Sequence, residues 1–142
     1  MFSKATEYAL RATIFIAQKS SEETKLGLDE IAKGIRSPKS FTAKILQQLT
    51  AGNKIISSTR GPGGGFFMTT KNKMLPVKAI LIAMAEDDVL DKCVLGLKKC
   101  SDIKPCPMHH QYKTIREQIK NLFVSKSIQD LANEMETSDR YL

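Results

Sequence analysis

At 142 residues the chain has the length of one domain, and its 42% hydrophobic residues suffice for a core. Tryptophan is absent and aromatics make up only 6%, so that core is expected to be aliphatic. No apolar run reaches membrane-spanning length, so no transmembrane helix is expected; residues 1–18 are too polar for a signal peptide, and a cytoplasmic address is the expectation.

The net charge of +7 lies entirely in the first half: residues 1–75 hold twelve Lys and Arg against five Asp and Glu, while residues 76–142 hold ten of each. Between Ile31 and Ala85 there is no acidic residue, yet nine basic ones fall there. A stretch purged of one sign suits a polyanion, because each neutralised phosphate releases condensed counterions.

In chain order, residues 3–18 read as a helix, with Ala5, Ala9, Ala12, Thr13, Ile16 and Ala17 at helical spacing. Residues 19–26 are polar and read as a loop. Leu28, Ile31, Ala32 and Ile35 then share a face of a short helix over 28–35, closed by Gly34 and the Ser37-Pro38 step. A second short helix is predicted over 38–50, with Ser37 as N-cap, Pro38 at the first position and Phe41, Ile45, Leu46 and Leu49 inward. Two short helices joined by a tight turn make a helix-turn-helix.

Residues 54–70 (KIISSTRGPGGGFFMTT) read as a β-hairpin with arms at 55–59 and 66–70 and a turn-forming tip at 60–65. A hairpin directly after a helix-turn-helix is a wing. A nucleotide-binding loop is the rival for this glycine run, but it needs Lys-Ser/Thr after the last glycine, where Phe66-Phe67 stands. Residues 76–85 form a short helix with Val77, Ile80, Leu81 and Met84 inward. Residues 87–107 show little periodicity and hold all three cysteines.

From Met108 a long helix runs to about residue 124, with Met108, Tyr112, Ile115, Ile119, Leu122 and Phe123 on one face. Pairing with the same helix of a second chain is its natural use, and packing on its own domain is the rival. Ser127-Ile128-Gln129-Asp130 resembles a capped helix start, followed by a last helix over 128–135 and a frayed tail. The fold class is therefore mainly α: a winged helix-turn-helix with a small hairpin wing and a long dimerisation helix. Its organisation is 1–86 for the winged head, 87–107 for the cysteine loop and 108–142 for the dimerisation and C-terminal helices.

Cys93, Cys100 and Cys106 stand in the spacing C-x6-C-x5-C. An odd number in a cytoplasmic chain argues against a disulfide framework. Core thiols belong on periodic apolar faces, whereas these sit among lysines, glycine and prolines, so a metal or cluster is the stronger reading. Three widely spaced cysteines fit zinc less well than an iron–sulfur cluster. Lys92, Lys98, Lys99 and Lys104 favour thiolates or an anionic cluster there.

The stretch SPKSFTAKILQQLTAGNKIISSTRGPGGGFFMTT resembles the recognition helix and wing of the Rrf-two (Rrf2) family of bacterial regulators. TEYALRAT resembles that family's first helix, and CVLGLKKCSDIKPCPMHHQYKTIREQI its cluster loop and dimer helix. The resemblance implies a homodimer reading a pseudo-palindrome in double-stranded DNA, with the second short helix in the major groove. It implies Ser37, Lys39, Ser40, Thr42 and Lys44 on or near the exposed side of that helix, facing bases or phosphates. Arg60, with Gly61, Gly63 and Gly64 letting backbone approach phosphate, would enter the minor groove. Ala43 stands where some cluster-binding members carry Glu, so their base preference does not transfer.

The resemblance also supplies a fourth ligand in two ways. His109, three residues after Cys106, matches the same-chain histidine of [2Fe–2S] members. Glu7 matches the carboxylate that [4Fe–4S] members donate across the dimer, its rival role being an ion pair with Arg11. The implied function is a transcriptional regulator, a repressor, sensing redox state, nitric oxide or iron–sulfur status. The alternatives are a cluster-free regulator using a thiol switch or protein partner, and a thiol enzyme using Cys106 with His109, which lacks an orienting third group.

Overall fold

The computed structural model describes residues 1–99 and 101–137; Cys100 and the tail beyond 137 lie outside them. Helix α1 (Lys4–Lys19) starts at Ser3, whose hydroxyl accepts from the Thr6 N–H, and it is the central rod of the fold. Its buried stripe is Thr6, Ala9, Ala12, Thr13, Ile14, Ile16 and Ala17. The small residues let the neighbouring helices approach closely, and Thr13 satisfies its buried hydroxyl by donating to the Ala9 carbonyl.

Helices α2 (Leu28–Gly34) and α3 (Lys39–Leu49) pack on each other and on α1. Gly34 does not supply the left-handed residue of the turn. Arg36 does, with φ 54, while the Ser37 N–H bonds Ala32 O at 2.9 Å and the Arg36 N–H bonds Lys33 O at 3.2 Å. Gly34 is needed for contact instead, because a Cβ there would lie 2.4 Å from the Phe15 ring. The N-cap of α3 is Pro38 rather than Ser37, and Thr42 donates to the Pro38 carbonyl.

The wing consists of β1 (Ser57–Thr59) and β2 (Gly65–Phe67), antiparallel with Ser57 opposite Phe67 and Thr59 opposite Gly65. Its arms are shorter than predicted. Ile55 and Ile56 turn into the core before the ladder begins, and Thr69 leaves it to cap α4 (Thr70–Lys73), a turn of helix the sequence reading missed. The 19–26 loop also contributes: Leu26 exchanges two 2.8 Å backbone bonds with Phe66, adding a third short rung.

Helix α5 (Lys78–Ala83) buries Ile80 and Leu81, with Val77 and Met84 buried at its ends. A 3-10 turn (Asp87–Leu90) buries Leu90 and leads into the cysteine loop. Helix α6 (His109–Ser125) follows. Helix α7 (Ile128–Thr137) starts in a reciprocal cap, where the Ser127 N–H reaches the Asp130 carboxylate at 2.9 Å and the Asp130 N–H reaches the Ser127 hydroxyl at 3.0 Å. It returns to α1 and places Ile128 and Ala132 in the same core as Ala9, Ile31, Ile45 and Ile80. Among the described residues no helix is long and apolar enough to cross a membrane.

Candidate functional site

The outer surface of α3 presents Lys39, Ser40, Lys44, Gln47 and Gln48, all exposed, with Ser37 half-buried at the turn. Thr42 does not belong to this surface. It is completely buried, and its hydroxyl is spent on the Pro38 carbonyl at 2.9 Å, so it has neither reach nor a free donor for a base. Lys39 pairs with Asp29 across the turn at 2.9 Å, an exposed pair that water and a competing phosphate exchange cheaply. Gln47 escaped the sequence reading. The signal was present, since Ser40, Lys44 and Gln47 recur at i, i+4 and i+7 between the buried positions.

At the wing tip the Gly64 N–H closes a turn onto Gly61 O at 2.9 Å, with Pro62 second and Gly63 third at φ 74, the pattern of a type II turn. Gly64 has no room for a side chain: a Cβ would meet Thr59 O at 2.4 Å. Arg60, Gly61 and Gly63 are exposed and Gly64 is half-buried. The reading helix and this tip carry Lys39, Lys44 and Arg60 with no acidic residue in either element, a surface suited to a phosphate backbone.

The second candidate centre is the cysteine loop. Cys93 is buried and Cys106 half-buried, and their sulfurs lie 3.8 Å apart. The Leu95 N–H, then that of Leu97, hold the Cys93 thiol below its ordinary range, aided by the Cys106 thiol and the Gly96 N–H against the effect of burial. Gly96 takes φ 73 to allow that wrap. Cys100 lies outside the described residues. The donor chemistry fits a metal group: two thiolates on one tetrahedral ion with bonds of about 2.3 Å are separated by roughly 3.8 Å, and amides directed at sulfur tune iron–sulfur sites.

His109, one helical turn after Cys106, is buried, and its Nε2 lies 2.7 Å from Asp102 Oδ1. Asp102, a residue the sequence reading passed over, also takes the Lys113 ammonium at 2.9 Å. The hydrogen bond to His109, then the one from Lys113, pull its carboxyl down from 3.8 to about 2. Glu7 is on α1, where it pairs with Lys4 at 3.2 Å; Arg11 lies instead over the Tyr8 ring.

Helix α6 grips the loop at both ends from one stripe, His109, Lys113, Arg116 and Lys120, at i, i+4, i+7 and i+11. His109 and Lys113 take the Asp102 carboxylate. Arg116, buried, donates to the Asp91 and Lys92 carbonyls at 3.3 and 3.0 Å. Lys120 reaches the Asp91 carboxylate at 2.8 Å, a pairing that lowers the Asp91 carboxyl and raises the lysine. One residue round the helix runs an apolar stripe in which Met108, Ile115 and Leu122 are 46, 53 and 53% exposed.

The family model of Rrf2, described as an iron-dependent transcriptional regulator, matches residues 2–134. The chain is 30% identical over 135 residues to an Aquifex aeolicus (strain VF5) protein classed among HTH-type transcriptional regulators, covering 94% of this chain and 92% of that one. It is 26% identical to the HTH-type transcriptional regulator IscR of Photorhabdus laumondii, over 93% of this chain and 79% of the relative. Its fold is similar to that of CymR, the global cysteine regulator of B. subtilis, with a TM-score of 0.74 and 19% identity over 94% of this chain and 97% of that structure.

Proposed function

This chain belongs to the Rrf2 family of transcriptional regulators, and on that premise we propose that it is a homodimeric repressor whose cysteine loop senses redox state, nitric oxide or iron supply through an iron–sulfur cluster. As a member of that family it is a DNA-binding regulator and not an enzyme.

The observation that carries the sensing half is the 3.8 Å approach of the Cys93 and Cys106 sulfurs in a loop tied at both ends to α6. Cys93, Cys100 and Cys106 are the sulfur ligands. His109 is the fourth, favoured over Glu7 because it is buried beside Cys106 and already hydrogen-bonded to a carboxylate, the usual outer partner of a metal-bound imidazole. Glu7 is held by Lys4 and would indicate a [4Fe–4S] rather than a [2Fe–2S] group. When bound, such a group supplies iron that reacts with oxidants and nitric oxide.

The chain's own contribution is mechanical. The loop over 87–107 is fastened to α6 by Lys113, Arg116 and Lys120, and the adjoining apolar stripe of α6 faces a second copy. Release of the loop frees one stripe of the helix whose other stripe sets the spacing of the two winged heads, so a loop event becomes a change of fit on DNA. The heads comprise residues 1–86 with α7 packed back into the same core beside α1, and α6 holds the two heads together. Ser37, Lys39, Ser40, Lys44 and Gln47 meet the major groove, and Arg60 with Gly61, Gly63 and Gly64 meets the minor groove of a pseudo-palindromic site.

Anaerobically purified chain gives, by native mass spectrometry, a dimer carrying the mass of iron and sulfide. Fluorescence titration with duplex DNA at two salt concentrations gives affinity that falls with salt. Colourless protein without iron or labile sulfide defeats the sensing reading, a monomer defeats the dimer, and indifference to duplex at low salt defeats the head assignment.

A further inference from the structure

We propose that Cys93 and Cys106 close a disulfide with each other when a peroxide reaches the metal-free loop, and that this bond gates metal loading. The gate rests on the metal reading above; the disulfide does not.

The two sulfurs stand 3.8 Å apart, so reaching a bond of about 2.05 Å takes an approach of under about 2 Å. The chain between them has the slack to allow it: residues 94–99 and 102–105 are exposed, and Gly96 has nothing within 4 Å of where a Cβ would stand. Arg116 and Lys113 hold the flanks at residues 91–92 and 102, so the closing partners start in register. Cys106 is the more exposed of the two and meets the oxidant first. Cys93, buried with its sulfur 3.8 Å from that of Cys106, is the resolving nucleophile.

The Cys106 sulfur attacks a peroxide oxygen and the O–O bond breaks, giving a sulfenic acid and, with hydrogen peroxide, one water. The Cys93 sulfur then attacks the Cys106 sulfur. The S–S bond forms as the S–O bond breaks, and the oxygen leaves as a second water with the Cys93 proton. Two thiols lose two electrons and two protons, and the peroxide gains both. Neither sulfur can then bind metal, because thiolate is the ligand form, and a small-molecule thiol restores both by exchange.

The test uses the full chain, reduced and metal-free, treated with equimolar hydrogen peroxide and quenched with an alkylating agent. Peptide mass mapping is expected to find Cys93 joined to Cys106 within one chain and Cys100 alkylated. C100S forms the same bond, while C93S and C106S do not, and circular dichroism confirms that all three variants fold. A bond that includes Cys100, a bond between chains, or sulfinic acid with no bond overturns the proposal. Ferrous ion and sulfide are then offered to reduced and oxidised chains. Loading of the reduced chain only, restored to the oxidised one by dithiothreitol, supports the gate, and equal loading of both overturns it. A reduced chain that takes no iron removes the metal reading and the gate together, leaving the disulfide to be decided by the mapping.

Discussion

Replacing Arg116 by methionine keeps the apolar stem in its place on α6 and removes the guanidinium that donates to the Asp91 and Lys92 carbonyls at 3.3 and 3.0 Å. Hydrogen bonds from a charged donor contribute about 1.5–3 kcal/mol each when well formed. One of these two is long, so about 2 kcal/mol of loop attachment is lost from them together. That corresponds to a roughly 30-fold rise in the local opening constant, read as faster amide exchange in residues 87–99 by mass spectrometry. Amides of α1 and α3 should keep their protection, because their cores are built from Ala9, Ile16, Ile45 and Leu46 and do not involve the loop. R116K, with a shorter and less directional donor, recovers part of the protection. Unchanged exchange in the loop would refute the strut, and a uniform loss across α1 and α3 would show that Arg116 supports the whole fold instead of the loop.

Lys44→Ala should weaken binding to every duplex alike and lower the salt slope by about one, whereas Gln47→Ala should cost about 1–3 kcal/mol on the preferred site only; competition titrations with specific and random duplexes separate the two. Gly34→Ala pushes a methyl to within 2.4 Å of the Phe15 ring and should cost about 1–3 kcal/mol by overpacking, seen as a lower midpoint in urea at unchanged slope. Asp102 has its folded carboxyl pulled from 3.8 to about 2, so its tie to His109 and Lys113 stabilises the loop fully above about pH 4 and is lost as pH falls toward 2. Loop protection in the native chain, taken relative to the intrinsic exchange rate at each pH, should therefore fall across that window, and D102N should remove the fall; an identical acid profile in D102N would disprove the linkage.

Periodicity and turn chemistry in the chain placed α1, α2, α3, α5, α6 and α7 to within a few residues, because each has an apolar stripe and a recognisable start or stop. The Ser127–Asp130 cap and the buried positions of α5 followed from local rules alone. The wing's arms are shorter than the pattern predicts because a buried isoleucine pair and a strand arm share the same apolar signature. Thr42 differs from expectation for a related reason: on a helix that also carries Lys39, Ser40 and Lys44, a hydroxyl resembles a surface residue until its rotation about the axis is fixed by packing.

From composition and spacing the chain determined a basic winged head, a sulfur-bearing loop and an amphipathic closing helix. Those are properties of neighbours along the backbone, carried by periods of a few residues. Only tertiary structure decided that the Cys93 and Cys106 sulfurs stand 3.8 Å apart, that Asp102 holds His109, and that Arg116 ties α6 to the start of the loop. These pairs are separated by 13, 7 and 24 residues, in or across a segment with no period. Which side chains meet there depends on how α6 packs back against the turn at 87–90, and nothing local to either partner encodes that.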